Sequence, residues 1–118
     1  MTRKSSFLVS AVLLFGMVSI ARGHAILVSA TPSANQVLTG PDTEVKLRFN
    51  SRVDQARSVL ILVTPGGEQR KLAVTEHSAP DLLDATVKGL KSGSYVLRWQ
   101  VLAVDGHITR GEVPFRVR

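Results

Sequence analysis

A two-residue alternation runs through Tyr95–Val104, and it admits few folds. Tyr95, Leu97, Trp99, Val101 and Ala103 share one face of that run. Period two is the repeat of a strand with one side on a core and the other toward water. Glu44–Phe49 repeats the pattern, with Val45, Leu47 and Phe49 on one face and Glu44, Lys46 and Arg48 on the other. Ser58–Val63 is a near-continuous apolar run, predicted as a buried strand, and Thr64-Pro65-Gly66-Gly67 ends it. Ile26–Ser29, stopped by Thr31-Pro32, Lys71–Thr75 and Leu83–Val87 around the polar loop Glu76–Asp81, and Glu112–Val117 supply the remaining strands. Further turns fall at Gly40-Pro41-Asp42 and Gly89–Ser94. No window carries a sustained helical repeat. About seven strands with turns roughly every 8–12 residues predict an all-β Greek-key barrel or sandwich of the immunoglobulin-like kind. Trp99, Phe49, Phe115 and Tyr95 are its expected large core residues.

Residues 1–23 carry a different instruction. A basic start with Arg3 and Lys4 precedes an apolar run from Phe7 to Ile20, and Ala21-Arg22-Gly23 follows as a small-x-small cleavage signal. The run is too short and too diluted by Ser10, Gly16 and Ser19 for a spanning helix, which needs about 18 apolar residues. The expected organisation is therefore a signal peptide over 1–23 and one domain over 24–118. Removal of Arg3, Lys4 and Arg22 lowers the formal charge from +6 to +3. The remaining basic residues are scattered, without the aromatic interleaving of single-strand binders, so nucleic acid is a poor partner. No cysteine is present, which excludes disulfides, thiolate zinc sites and iron–sulfur clusters. Export without cysteine points to a bacterial periplasm or outer surface.

Conventional catalytic signals are missing: there is no nucleophile elbow, phosphate-cradling glycine loop or His-Glu-x-x-His helix. The histidines say more. Cleavage after Gly23 makes His24 the amino terminus, so one residue offers an α-amine and an imidazole that can close a chelate ring on one metal. Their ordinary pKa values, about 7.7–8.0 and about 6.5, allow both to lose a proton near neutrality. Asp105-Gly106-His107 places a carboxylate and an imidazole two residues apart, on the same side of an extended segment. Singly, each pattern has a plain reading: a histidine left by the peptidase, or a turn aspartate with a capped histidine. Together, His24, Asp105 and His107 form a nitrogen-rich donor set with one oxygen and no thiolate, which suits tetragonal Cu(II). His77 sits in the polar loop, where a solvated residue is the ordinary expectation and a peripheral metal contact the alternative.

These residues resemble the CopC family of periplasmic copper-resistance proteins. The similarity runs from His24-Ala-Ile-Leu-Val-Ser-Ala-Thr-Pro32 through Val45-Lys-Leu-Arg-Phe49 and Gly93-Ser-Tyr-Val-Leu-Arg-Trp99 to Val104-Asp-Gly-His107 and Gly111-Glu-Val-Pro-Phe-Arg-Val117. It implies a Greek-key β fold and Cu(II) bound by the amine and ring of His24, the carboxylate of Asp105 and the ring of His107. It also implies a non-enzymatic copper carrier or buffer, monomeric, with a CopD-type inner-membrane permease or another periplasmic copper protein as partner. Two departures sharpen the expectation. Some members carry a methionine-rich Cu(I) site, whereas both methionines here, Met1 and Met17, fall in the signal segment. The family usually has Phe-Ser-Glu where this chain has Phe49-Asn50-Ser51, which removes an outer-shell carboxylate and predicts weaker binding. A metal-free immunoglobulin-like interaction module and a copper-dependent monooxygenase are the competing functions.

Overall fold

A computed structural model describes residues 25–76 and 78–118. The predicted signal segment, His24 and His77 lie outside the described residues. Eight strands follow in order: β1 Leu27–Thr31, β2 Gln36–Leu38, β3 Thr43–Phe49, β4 Val59–Val63, β5 Gln69–Leu72, β6 Leu82–Val87, β7 Gly93–Leu102 and β8 Ile108–Val117. A 3₁₀ turn, Gln55–Arg57, precedes β4 and is capped by the Asp54 carboxylate.

The strands form two sheets, β1-β3-β6 and β2-β8-β7-β4-β5. Every pairing is antiparallel except β2 with β8, which is parallel. The chain changes sheet repeatedly, as an immunoglobulin-like sandwich requires. The alternation in β3 and β7 decides which side faces in: Val45, Leu47 and Phe49 meet Tyr95, Leu97, Trp99 and Val101 across one core. Phe49 stands edge-on to Trp99 with ring centroids 5.2 Å apart, joining the sheets at one end. Near the other end Tyr95 stacks on Phe115 at 5.4 Å, and its hydroxyl both accepts from Lys91 N–H and donates to Lys91 C=O. All four expected aromatics are buried.

Three local expectations change. The continuous apolar run at β4 alternates in practice: Leu60 and Leu62 are buried, while Val59, Ile61 and Val63 lie half-buried on the outer face. There Val59 and Ile61 share a groove with Arg98, Gln100, Arg110 and Glu112, whose long side chains shield apolar neighbours without a second protein layer. Residues 73–75 drop out of the expected strand Lys71–Thr75 because β5 pairs with β4 only from Gln69 to Leu72, and Thr75 N–H bonds Asp84 C=O instead. β8 starts four residues before the apolar alternation of Glu112–Val117, drawn out by its ladder with β7.

That ladder also sets Gly111 opposite Trp99. A Cβ at Gly111 would fall 2.9 Å from the indole nitrogen and closer still to two ring carbons. Gly111→Ala is therefore expected to destabilise the domain by about 1–3 kcal/mol through overpacking. Denaturant titration followed by the emission of Trp99, the one tryptophan in the chain, checks this directly.

Candidate metal centre

The two long strands β7 and β8 are joined by Ala103–His107, and that connection carries both described candidate ligands. Ala103 N–H bonds His107 C=O at 2.8 Å, and Gly106 N–H returns to Ala103 C=O at 2.9 Å, closing a tight loop. Gly106 has φ +93°, a backbone conformation that a side chain disfavours. The Asp-x-His pair is thus not on an extended edge. It occupies a turn, and the turn brings the two side chains together.

Asp105 is fixed by its neighbour twice. Its Oδ1 accepts from His107 N–H at 3.1 Å, and its Oδ2 lies 2.7 Å from His107 Nδ1. When Nδ1 donates to the carboxylate, the imidazole carries its lone pair on Nε2, the usual device for orienting a metal-binding histidine. The His107 side chain is 60% exposed and that of Asp105 33%, so the pair faces outward at the tip of the hairpin. Its base is braced from the side. Val53 bridges Ala103, Asp54 N–H bonds Leu102 C=O at 2.8 Å, and the buried Ser58 hydroxyl accepts from Leu102 N–H while donating to Asp54 C=O.

The start of the described chain lies beside this hairpin. Ala25, Ile26, Leu27, Trp99, Ile108 and Thr109 line one open cleft. Ala25 is fully buried, whereas Ile26 is 59% exposed. Ile26 is held by Asn50, with Ile26 N–H donating to Asn50 Oδ1 at 2.8 Å and Asn50 N–H donating to Ile26 C=O at 2.9 Å. The residue that follows His24 in sequence therefore shares a cleft with Thr109, two residues beyond His107.

Among the described residues, no group of three or more His, Asp or Glu side chains could hold a metal ion. Asp105 and His107 account for the carboxylate and one imidazole of the expected donor set; the two donors expected of His24 lie outside the described residues. Ser51, where the family resemblance leads one to expect glutamate, has a buried hydroxyl with no hydrogen-bond partner among the described residues. It brings no charge to this end of the sandwich. Asn50 was invisible to residue-by-residue reading, because its partner lies 24 positions away and its role is a backbone contact.

The CopC domain model matches residues 27–118. The chain is 31% identical over 98 residues to protein YobA of Escherichia coli K12, covering 80% of this chain and 79% of that one. It is 28% identical over 106 residues to copper resistance protein C of Xanthomonas campestris pv. juglandis, covering 83% of each. The crystal structure of CopC from Methylosinus trichosporium OB3b superposes with a TM-score of 0.71 at 33% identity, over 80% of this chain and 93% of that one.

Proposed function

The chain belongs to the CopC family, and we propose that it is a periplasmic Cu(II)-binding protein, a carrier or buffer of copper and not an enzyme. The observation that carries this reading is the Asp105–His107 pair, built into a braced hairpin whose neighbouring strand shares a cleft with Ala25. His24, exposed as the amino terminus by cleavage after Gly23, supplies its α-amine and ring. His107 adds a second imidazole and Asp105 a carboxylate. Three nitrogens and one oxygen match the tetragonal preference of Cu(II), which also heads the divalent affinity order. Residues 24–118 contain no methionine, so the thioether donors that favour Cu(I) are missing and a single Cu(II) site is proposed. Asp105 as a fourth donor would also fill a position that a copper oxygenase would leave open. The protein acts as a monomer and exchanges its ion with a CopD-like inner-membrane permease or another periplasmic copper protein.

Isothermal titration of Cu(II) into the chain beginning at His24 tests the reading. One equivalent is expected to bind, and His107→Ala is expected to weaken binding by more than about 100-fold, beyond the range for losing an outer-shell partner. Protons compete for the same donors. An imidazole and an α-amine must both be deprotonated to bind, so affinity falls as the medium is acidified from pH 7 to pH 5. Constant affinity over that interval removes the nitrogen-rich site, and absence of stoichiometric binding favours an interaction module. Ser51→Glu tests the family departure: restoring the carboxylate is expected to raise affinity by about 10–100-fold.

A further inference from the structure

We propose that Asn50 is a positioning residue for the N-terminal metal donors, a clasp that fixes the point from which His24 reaches the hairpin. This inference rests on the Cu(II) site described above and assigns a role that neither His24, Asp105 nor His107 performs.

Three observations carry it. First, the β1–β3 ladder has its last registered pair at Leu27 and Phe49, and its register already shifts between Leu27 and Ser29. Regular strand pairing therefore does not extend to the beginning of the chain. Second, Asn50 continues the pairing by other means. Its backbone N–H reaches Ile26 C=O at 2.9 Å, and its side-chain Oδ1 accepts from Ile26 N–H at 2.8 Å, so both polar groups of Ile26 are held by one residue. Third, the segment so held faces the correct neighbours. Ala25 is buried without exposure, and it lines a cleft with Thr109 of β8, the strand that starts one residue after His107.

The physical reasoning concerns preorganisation. Terminal residues fray unless tied down. A donor on a frayed terminus must be ordered at the moment it binds, and that entropy is subtracted from affinity. With Ile26 clasped and Ala25 in the core, His24 is the next residue along the chain, one Cα–Cα step of about 3.8 Å beyond the last buried residue. Without the side-chain half of the clasp, the amine and ring of His24 still chelate Cu(II), but their placement against Asp105 and His107 is no longer set in advance.

The test uses the chain beginning at His24 and Asn50→Ala, with Asn50→Asp as the conservative variant that keeps an acceptor for Ile26 N–H. Cu(II) affinity is measured by competition with a chelator, and donor number by the nitrogen superhyperfine lines of the electron paramagnetic resonance spectrum. Asn50→Ala is expected to bind about 10–100-fold more weakly, the range for groups that orient metal ligands, and to lose nitrogen lines. Asn50→Asp is expected to restore both. A purely structural role lowers thermal stability without altering the spectrum. Unchanged affinity and spectrum in Asn50→Ala, or an Asn50→Asp variant as weak as Asn50→Ala, overturns the inference while leaving the Cu(II) site standing. Failure of the unsubstituted chain to bind Cu(II) overturns the site itself. Should Asn50→Ala not fold, hydrogen exchange at the Ile26 amide of the unsubstituted protein decides: slow exchange supports the clasp, and exchange at the rate of an open terminus removes it.

Discussion

One extra residue ahead of His24 is expected to lower Cu(II) affinity by about 100-fold or more while leaving the fold intact. The extension changes no side chain. It converts the α-amine, with an ordinary pKa of about 7.7–8.0, into an amide that does not give up its proton near neutrality. The chelate formed by amine and ring is lost, and the ring alone must hold the ion with Asp105 and His107. Loss of a direct ligand exceeds the roughly 10–100-fold typical of an outer-shell partner, which sets the lower bound. Trp99 lines the cleft beside Ala25 and is the chain's one tryptophan, so its quenching by Cu(II) reports occupancy without a label. The melting temperatures of the two metal-free forms should agree within a few degrees, because Ala25 keeps its burial and Ile26 its two bonds to Asn50. With copper in excess they should diverge, since a ligand that binds only the native state raises its stability by mass action. Equal affinity of the two forms would sink the four-donor site. On the proposed reading, cleavage after Gly23 is the step that creates the site, because a chain still carrying residues 1–23 has no α-amine at His24.

Legibility in the sequence followed the range of the forces involved. β3 and β7 could be read directly because each buries one face, and burial writes period two into adjacent residues. β2 could not: its three residues become a strand only by pairing with Phe115, Arg116 and Val117 nearly eighty positions later. The outer face of β4 misled for a related reason, since Val59 and Ile61 are shielded by side chains from β7 and β8 rather than by a second sheet. At the candidate site, the spacing of Asp105 and His107 was readable, and their proximity followed. The extended geometry expected for them did not, because Gly106 turns the chain at positive φ. Asn50 lay beyond reach altogether: an asparagine after an apolar strand looks like any turn residue until Ile26 is seen on its amide oxygen.

The largest stability loss is expected from Phe49→Ala. Phe49 is 2% exposed, ends β3 and meets Trp99 of the opposite sheet edge-on at 5.2 Å. Truncation removes a buried aromatic and leaves a cavity between two sheets whose backbones are fixed by their ladders, so little collapse can fill it. Such changes cost about 3–5 kcal/mol. Against a total stability of about 5–15 kcal/mol for domains of this kind, that is a large fraction. At roughly 4–8 °C per kcal/mol for a domain under 100 residues, the melting temperature should fall by at least about 12 °C. The exposed pair of Arg48 with Asp81, at 2.9 Å, offers a control from the adjacent residue. Its side chains are 48% and 36% accessible, so Asp81→Asn should cost no more than about 1 kcal/mol. Calorimetry of the metal-free proteins separates the two cases, and a fall of under about 5 °C in Phe49→Ala would show that the sheets are not joined through this ring pair. The location of the loss also matters for copper. Leu27 pairs with Phe49, and the bonds to Ile26 begin at the next residue, Asn50, so the cavity opens next to the segment Ala25–Leu27 that follows His24 in sequence. Phe49→Ala should therefore weaken Cu(II) binding even at temperatures where the variant is fully folded, whereas Asp81→Asn should not. An unchanged affinity in folded Phe49→Ala would mean that the N-terminal donors are placed by Asn50 and Ala25 without support from the core below them.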